Sequence, residues 1–186
     1  RGLVLAFTEH LFMILGAVLA GGRSSRFGSD KALAELDGHS LLALAVDALS
    51  GWCEHVVVTG RETAPAPTLP DWPRADMGPL GGLAAAMRHA QDEGYDHVLS
   101  CSVDAAFLPD DLLERLGPAP ACLAAQPVIG LWPTSATAVL EALLHSEDRH
   151  SMRRFADLAG ARLVEAGVAN PNVKTPEDLA ALARKG

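Results

Sequence analysis

The sequence is poor in aromatic residues and in net positive charge. Phe, Trp and Tyr together make up only 5% of the chain, whereas apolar residues of all kinds make up 49%. This balance favours helices packed on a sheet over an all-β sandwich. The formal net charge is −8, so no global attraction to nucleic acid or to an anionic membrane is expected. Any phosphate-bearing ligand must therefore be held locally, by a metal ion, a few basic side chains or backbone N–H groups.

Cysteine is also scarce, since Cys53, Cys101 and Cys122 are the three in the 186-residue chain. They are too few and too scattered for a disulfide framework, and they form no CxxC pair of the kind that binds structural zinc. This usage is typical of a protein kept in a reducing compartment, and we expect a cytoplasmic location.

A long uninterrupted apolar segment is missing as well. The run over residues 1–20 is broken by polar residues at positions 8–10, which makes it unsuited to spanning a bilayer. No signal-peptide cleavage pattern separates this run from the loop that follows it. Because Met13 has the character of a natural start, we expect residues 1–12 to be an N-terminal extension and residues 13–186 to form one domain.

From Met13 onward, strand and helix patterns alternate. Continuous apolar runs predict buried strands at Ile14–Ala20, His55–Thr59 and Val98–Val103. Weaker strands are predicted at 121–125, 128–131 and 162–165, and helices at 41–49, 80–91, 109–116, 136–144, 152–159 and 176–184, the last capped by Thr175. The proline-rich connection 62–77 is predicted to be irregular.

This alternation predicts an α/β fold with a doubly wound, mostly parallel sheet and helices on both faces, of Rossmann-like type. Ligands of such sheets bind at the carboxyl ends of the strands. The loops after Ala20, Thr59 and Val103 are therefore the places to look for a binding site.

The loop after the first strand carries the most informative pattern, Leu19-Ala20-Gly21-Gly22-Arg23-Ser24-Ser25-Arg26-Phe27-Gly28-Ser29-Asp30-Lys31. Paired glycines after a buried strand let the backbone turn sharply and approach a ligand closely. N–H groups in such a turn can bind phosphate oxygens, and Arg23, Arg26 and Lys31 add positive charge. The loop is neither a Walker A motif nor GxGxxG. We interpret it as a phosphate-binding loop, the alternative being an ordinary glycine turn with solvated basic side chains.

Two further segments at the same predicted edge suit nucleotide chemistry. Gly78–Leu83 opens a predicted helix, with Pro79 suited to its first turn. Asp104 directly follows the third strand, where a carboxylate is well placed to hold Mg²⁺. The ion would bridge phosphate oxygens and offset charge developing at an α-phosphate. A plain helix start and a turn-capping aspartate are the respective alternatives.

The first loop resembles the LAGGxSxRMGxDK signature of the molybdenum cofactor guanylyltransferases, with Phe27 in place of methionine. Related cytidylyltransferases tend to carry LAAG and a proline before the lysine, so Gly21-Gly22 and Asp30-Lys31 favour the guanylyl branch. The resemblance covers about Met13 to the last helix and implies a sheet of the nucleotide-diphospho-sugar transferase type. It implies phosphate binding by Leu19, Ala20, Gly21, Gly22, Arg26 and Lys31, with Arg26 and Lys31 acting in catalysis through their charge.

The second segment resembles the family's GPLAGL motif, with Gly81 in place of alanine. The resemblance implies nucleotide binding by Gly78, Pro79 and Leu80. Asp71 matches the family aspartate that contacts guanine, and a carboxylate can accept hydrogen bonds from both N1–H and the exocyclic amine. Asp76 is the alternative reader of the base.

Two positions in the neighbouring loops match the family less closely. Thr59 stands where the family often has an asparagine that contacts the nucleotide. Asp104 heads a strand-Asp-x-Pro motif in which Ala106 replaces the proline. The resemblance nevertheless implies that Asp104 is the catalytic Mg²⁺ ligand.

The C-terminal half resembles the acceptor side of the family. Residues 126–133 are similar to its short strand beside the acceptor, and residues 149–154 to its basic turn and helix start. An anionic acceptor would suit three cations, Arg149, Arg153 and Arg154, with Trp132 as a face on which it could stack. A packed tryptophan and a solvated basic helix end are the alternatives. In a segment resembling NxNTPEDL, Asn172 matches the first asparagine and Lys174 replaces the second.

The resemblance thus implies Mg²⁺-dependent transfer of GMP from GTP to the terminal phosphate of molybdenum-loaded molybdopterin, with release of pyrophosphate. Two rivals stay open: a related enzyme that uses CTP or another phosphorylated acceptor, and a non-catalytic nucleotide or cofactor binder. A transient contact with a molybdoenzyme or its chaperone is expected, and no nucleic-acid or membrane partner. The whole interpretation requires Lys31 and Asp104 to lie close enough to share one triphosphate.

Overall fold

The computed structural model describes residues 12–21, 30–166 and 175–184. Its strands are β1 (Ile14–Leu19), β2 (Glu35–Leu36), β3 (His39–Ser40), β4 (His55–Thr59), β5 (Thr68–Leu69), β6 (His97–Cys101), β7 (Ala121–Leu123), β8 (Gly130–Pro133) and β9 (Arg162–Val164). Its helices are α1 (Leu41–Ser50), α2 (Gly78–Asp92), α3 (Leu112–Leu116), α4 (Thr137–His145), α5 (Met152–Ala159) and α6 (Pro176–Ala183). Short 3-10 turns lie at Lys31–Leu33, Val103–Phe107 and Thr134–Ala136.

The central sheet has seven strands in the order β5-β4-β1-β6-β8-β7-β9. The first four of these are mutually parallel, β8 is antiparallel to both β6 and β7, and β9 is parallel to β7. The predicted doubly wound, mostly parallel sheet is confirmed. Because β6 and β7 both oppose β8, they run in the same direction. The carboxyl ends of β1, β4, β6 and β7 therefore meet at one edge, called the carboxyl edge below.

Helices cover both faces of the sheet, and β1 shows the consequence in its sequence. All six residues of β1 are buried, as a strand needs to be when both of its faces are covered. Leu15 and Ala17 join the core layer that contains residues of α2, α4 and α5. Ile14 and Val18 join the opposite layer, with residues of α1 and α3. This alternation follows from the two-residue period of a strand.

Several helices begin at capping residues that are visible in the sequence. The Ser40 Oγ accepts a hydrogen bond of 3.1 Å from the Ala43 N–H at the start of α1. Ser151 caps α5 in the same way, through the Arg154 N–H at 3.1 Å. Thr175 and Asp178 form a reciprocal capping box at α6, which confirms the predicted Thr175 cap.

Some boundaries differ from the sequence-based prediction. Helix α2 begins at Gly78 rather than Leu80, because proline at the second position is compatible with a first helical turn. Helix α3 begins only at Leu112, since the Leu112 N–H bonds to the Pro109 carbonyl in a turn that precedes it. The connection 62–77 contains the two-residue strand β5, which is too short to carry a periodic signal. No helix in the described ranges is long and apolar enough to cross a membrane.

Candidate active site

The loops after β1 and β6 bring a lysine and an aspartate into direct contact at the carboxyl edge. The Lys31 Nζ lies 2.8 Å from Oδ1 of Asp104 and donates a hydrogen bond of 3.2 Å to its Oδ2. Both side chains are largely buried, with exposed fractions of 15% and 12%. The residues are 73 positions apart in the chain, so this contact is a property of the sheet topology. The proximity that the sequence interpretation requires is present.

Asp104 is held by a short turn at the end of β6. The Ser102 Oγ accepts the Asp104 N–H at 3.3 Å and so caps the 3-10 turn Val103–Phe107. Among the described residues, Asp104 is the only charged residue in the buried set, at 9% exposed. Its Oδ1 is buried and has no hydrogen-bond donor aligned with it among the described residues, although Nζ of Lys31 is in ion-pair contact. The partner of this oxygen is therefore the ammonium cation of Lys31, at 2.8 Å.

Gly21 and Gly60 allow the loop after β1 and the loop after β4 to contact each other. A Cβ added at Gly60, which has φ of +81°, would lie 2.3 Å from the Cα of Gly21. The Ala20 N–H also bonds to the Thr59 carbonyl at 3.0 Å. Gly21 and Gly60 thus lie against each other, are both exposed and have no side chain, so a ligand can approach their backbone closely.

Asp71 lies beside the start of α2. Burial has the largest influence on the pKa of its carboxyl group and raises it above the ordinary value. The hydrogen bond accepted from the Met77 N–H lowers the pKa by a smaller amount, and the nearby charge of Asp76 raises it further. A cavity of about 280 Å³ opens next to it, lined by Gly60, Arg61, Glu62, Leu69, Pro70, Asp71, Ala75 and Asp76. The two aspartates proposed as readers of a base therefore line one pocket at the carboxyl edge.

Two glycines in the first turns of α2 make room for their neighbours. A Cβ at Gly81 would lie 2.5 Å from Cβ of Met77 and 3.4 Å from Oδ2 of Asp71. A Cβ at Gly82 would lie 2.3 Å from Oγ1 of Thr59. The replacement of the family's alanine by Gly81 therefore has a local reason, since the glycine lets Asp71 and the preceding loop lie against the helix.

Thr59 does not reach the surface of the carboxyl edge. It is 1% exposed, and its hydroxyl faces the helix at Gly82. This position does not support a contact between its side chain and a nucleotide.

The start of α2 offers mainly backbone to a ligand. Pro79 is exposed there, Leu80 is buried in the core layer beneath α2, and Gly78 has φ of +69°.

The expectation that Trp132 forms a stacking face for the acceptor is wrong. Trp132 is 0% exposed, its indole N–H donates to Oγ of Ser100 at 2.9 Å, and its ring packs on Phe155 with centroids 4.8 Å apart. It pairs with Val98 in the antiparallel ladder between β6 and β8. Because β8 runs against β6, Trp132 lies toward the end of the sheet opposite the carboxyl edge. The alternative reading, a packed tryptophan, is correct.

Of the basic residues in the C-terminal half, Arg153 has a contact at the carboxyl edge. Arg153 is exposed on α5 and donates a 2.7 Å hydrogen bond to the Ala124 carbonyl, just past the end of β7. Arg149 is exposed in the connection between α4 and α5. Arg154 forms a 2.7 Å ion pair with Asp148. The contact of Arg153 therefore places it beside a strand end at the carboxyl edge.

Known proteins resemble this chain over most of its length. The family model for the MobA-like NTP transferase domain matches residues 16–165. A molybdenum cofactor guanylyltransferase of Rhizobium johnstonii is 37% identical in an alignment of 187 positions, gaps included, that covers 89% of this chain and 90% of that protein. One from Rhodobacter capsulatus is 34% identical in an alignment of 182 positions that covers 90% of this chain and 93% of that protein.

The chain belongs to the MobA-like NTP transferase family.

Solved structures show how far this transferase shares its fold. Molybdopterin-guanine dinucleotide biosynthesis protein A from Archaeoglobus fulgidus superposes with a TM-score of 0.72 at 19% identity, covering 92% of this chain and 97% of that one. A 4-diphosphocytidyl-2C-methyl-D-erythritol synthase superposes with a TM-score of 0.66 at 13% identity, covering 93% and 97%. At these identities the likeness concerns the fold, which is shared by relatives named for different nucleotides.

Several residues singled out in this MobA-like transferase lie outside the described ranges. They are Gly22, Arg23 and Arg26 of the first loop, and Asn172 and Lys174 before α6. Their suggested roles stay predictions. Within the described ranges no group of three His, Cys, Asp or Glu side chains could hold a metal by itself. The assignment of Asp104 as a Mg²⁺ ligand likewise stays a prediction.

Sequence reasoning missed two residues at the carboxyl edge of this transferase, Gly60 and Arg61. The Arg61 guanidinium binds both carboxylate oxygens of Asp30, at 3.0 and 2.7 Å, and Arg61 also lines the cavity beside Asp71. The available signal was the same as in the first loop: a glycine and a cation directly after a valine-rich strand. It was overlooked because a single Gly-Arg pair lacks the recognisable motif of the first loop.

Proposed function

We propose that this chain transfers GMP from GTP to the terminal phosphate of molybdenum-loaded molybdopterin, giving molybdopterin guanine dinucleotide and pyrophosphate. The observation that carries the proposal is the meeting of Lys31 and Asp104 at the carboxyl edge, beside glycine-lined backbone. Relatives named molybdenum cofactor guanylyltransferase, 37% and 34% identical over nearly their whole length, support the choice of nucleotide and acceptor.

The reaction is a single in-line displacement. An oxygen of the acceptor's terminal phosphate forms a bond to the α-phosphorus of GTP, and the bond from that phosphorus to the bridging oxygen of the β-phosphate breaks. The electron pair leaves with pyrophosphate. Such chemistry needs no covalent participation by the protein, since positioning and electrostatic stabilisation supply most of the rate.

Lys31 supplies positive charge to the nucleotide phosphates. It lies at the start of the short turn capped by Asp30, and its ammonium group is held at the carboxyl edge by Asp104. An incoming triphosphate offers more negative charge than one carboxylate, so Lys31 can bind phosphate while remaining near Asp104. Arg26 is proposed to add a second cation from the first loop.

Asp104 would hold Mg²⁺ between the protein and the phosphates. The ion, when bound, supplies Lewis-acid stabilisation of the negative charge on the phosphoryl oxygens. The position of this largely buried carboxylate supports the assignment, because it lies at the carboxyl edge, 2.8 Å from the lysine proposed to bind the phosphates, and carboxylate oxygens are ligands that Mg²⁺ accepts.

The guanine base is proposed to bind in the cavity lined by Asp71 and Asp76. An ionised carboxylate there accepts from N1–H and the exocyclic amine of guanine, two donors that cytosine does not present in the same arrangement. Asp71 is our choice, because it is half-buried and fixed by the Met77 N–H, whereas Asp76 is exposed. The exposed backbone at Gly78 and Pro79 would lie along the nucleoside.

The acceptor is proposed to approach from the side of β7 and α5. Arg153, and with it Arg149 and Asn172, are the candidates to bind its phosphate and pterin. A cytoplasmic location, and delivery of product to a molybdoenzyme or its chaperone, complete the proposal.

The test is pyrophosphate release with molybdenum-loaded molybdopterin and each of the four NTPs, with and without Mg²⁺. GTP with Mg²⁺ should give turnover well above that of the other nucleotides. A clear preference for CTP, the nucleotide suggested by the shared fold of the cytidylyl relative, would contradict the guanylyl assignment. Tight binding of GTP without any pyrophosphate release would instead identify a non-catalytic binder.

A further inference from the structure

Arg61 and Asp30 form an ion pair that joins the loop after β4 to the loop after β1. Both terminal nitrogens of the guanidinium take part, at 3.0 Å to Oδ1 and 2.7 Å to Oδ2. The Arg61 side chain is only 19% exposed, although that of Asp30 is 45% exposed. A two-point contact between guanidinium and carboxylate fixes orientation as well as distance, which a single contact does not.

Asp30 in turn begins the 3-10 turn Lys31–Leu33. Its Oδ1 accepts the Ala32 N–H at 3.2 Å, so the same carboxylate that binds Arg61 caps this turn. The residue that follows it directly is Lys31, whose ammonium group contacts Asp104. A chain of direct contacts thus leads from Arg61 through Asp30 to the turn that carries Lys31.

We propose that Arg61 is a positioning residue for Lys31. By fixing the Asp30 carboxylate, it holds the start of the Lys31–Leu33 turn in place, so that Lys31 is presented to the nucleotide phosphates before the nucleotide binds. The close packing of Gly21 on Gly60 brings the two loops together at the same point. This inference depends on the proposed function, because it assigns Arg61 an effect on phosphate binding.

A different role for Arg61 is also compatible with its position. Its side chain lines the cavity beside Asp71, so it could touch the base or the ribose directly. The two roles predict different losses of affinity for ligands with and without phosphates when Arg61 is replaced. A positioning role through Lys31 affects only ligands that carry phosphates, whereas a contact with the nucleoside affects guanosine and GTP equally.

The experiment compares dissociation constants for GTP with Mg²⁺ and for guanosine, measured by calorimetry on the full chain. Arg61→Gln should weaken GTP binding about five- to tenfold, while guanosine binding changes less than about twofold. Asp30→Asn should act in the same way, and the double variant should be no weaker than the weaker single variant, because both changes break one unit. Arg61→Lys, which keeps the charge but loses the two-point contact, should fall between wild type and Arg61→Gln.

Arg115→Gln is the matched control, because Arg115 also pairs with an aspartate, Asp111, at 2.8 Å, but on the exposed surface of α3. It should leave both affinities unchanged. Equal losses for guanosine and GTP in Arg61→Gln, or additive losses in the double variant, would overturn the positioning role. Wild-type protein that binds neither ligand would refute the proposed function itself, which separates the two failures. A lower melting temperature of Arg61→Gln with an unchanged ratio of the two affinities would also overturn the positioning role, because it would show that the ion pair only stabilises the fold.

Discussion

Candidate site residues come together at the carboxyl edge of the N-terminal half. In the antiparallel part of the C-terminal half, the candidate Trp132 does not join them. Gly21, Gly60 and Asp104 each follow a strand that runs in one direction, and they converge within contact distance of each other or of Lys31. Trp132 lies inside β8, which runs the other way, and it is buried in the core. A residue placed just after a parallel strand is therefore a far safer candidate than a residue within a strand of unknown direction.

The difference has a simple physical origin. A parallel sheet brings all carboxyl ends to one edge, so the end of a strand fixes where the next residue lies. For a residue within a strand, its location and the face to which it points also depend on strand direction and register. The experiments below test this comparison, in order of decreasing expected effect.

Asp104→Asn should have the largest effect. Removal of the carboxylate charge removes the proposed Mg²⁺ site, and we expect pyrophosphate release to fall about 10²- to 10³-fold with the fold intact by circular dichroism. Asp110→Asn is the control, because Asp110 is an exposed aspartate shortly after the same turn, and it should retain full activity. Undiminished turnover in Asp104→Asn would mean that the carboxyl edge does not hold the metal through this residue.

Gly60→Ala should destabilise the protein more than any comparable glycine change away from the site. The new Cβ would lie 2.3 Å from Gly21, so we expect the free energy of unfolding to fall by about 3 kcal/mol, from backbone overpacking together with the positive φ. Gly94→Ala isolates the second cause, because Gly94 has the same φ of +81° and nothing within 4 Å of the added Cβ. It should cost about 1 kcal/mol. Urea unfolding measures both, and equal losses would show that the two loops are not in tight contact.

Asp71→Asn should reduce the preference for GTP over ATP by about tenfold, because the amide has one acceptor oxygen instead of two, and its NH2 group opposes one of the two guanine donors. Binding should also depend on pH. The ionised carboxylate is the form that accepts from guanine, so affinity is full above the pKa of Asp71 and is lost as the pH falls through it. Since burial raises this pKa above 3.8, the loss should begin at a higher pH than it would for an exposed aspartate.

Asp76→Asn provides the comparison for Asp71. It changes the other aspartate of the same cavity and should leave the preference for GTP nearly unchanged. The reverse result, with selectivity lost only in Asp76→Asn, would transfer the reading of the base to Asp76.

Trp132→Phe should have the smallest effect on activity, because it should lower stability alone. The change removes the indole N–H that binds Oγ of Ser100 and part of the packing on Phe155, so the free energy of unfolding should fall by about 1–2 kcal/mol. The KM for the acceptor should not change. A raised acceptor KM with unchanged stability would restore Trp132 to the binding site and contradict the comparison made above.

Much of this protein could be predicted from sequence because the signals are local. The apolar run of β1, the valines of β4 and the Thr175 cap of α6 each fix an element within a few residues. The short strand β5 and the hairpin formed by β2 and β3 were not predicted, since two-residue strands are defined by their partners and carry no periodic pattern. Glycines and charged residues just after predicted strands, or at the start of a predicted helix, indicated three candidate ligand-binding segments: the first loop, Gly78–Leu83 and Asp104.

By itself the sequence determined the class of fold, the order of most elements and the chemical character of the loops that follow the parallel strands. Only the tertiary structure decided that Lys31 meets Asp104, that Arg61 binds Asp30, and that Trp132 belongs to the core. Secondary structure and turn chemistry depend on neighbours a few positions away along the chain. Contacts between residues dozens of positions apart depend on strand order, direction and register, which are set by the packing of the whole sheet.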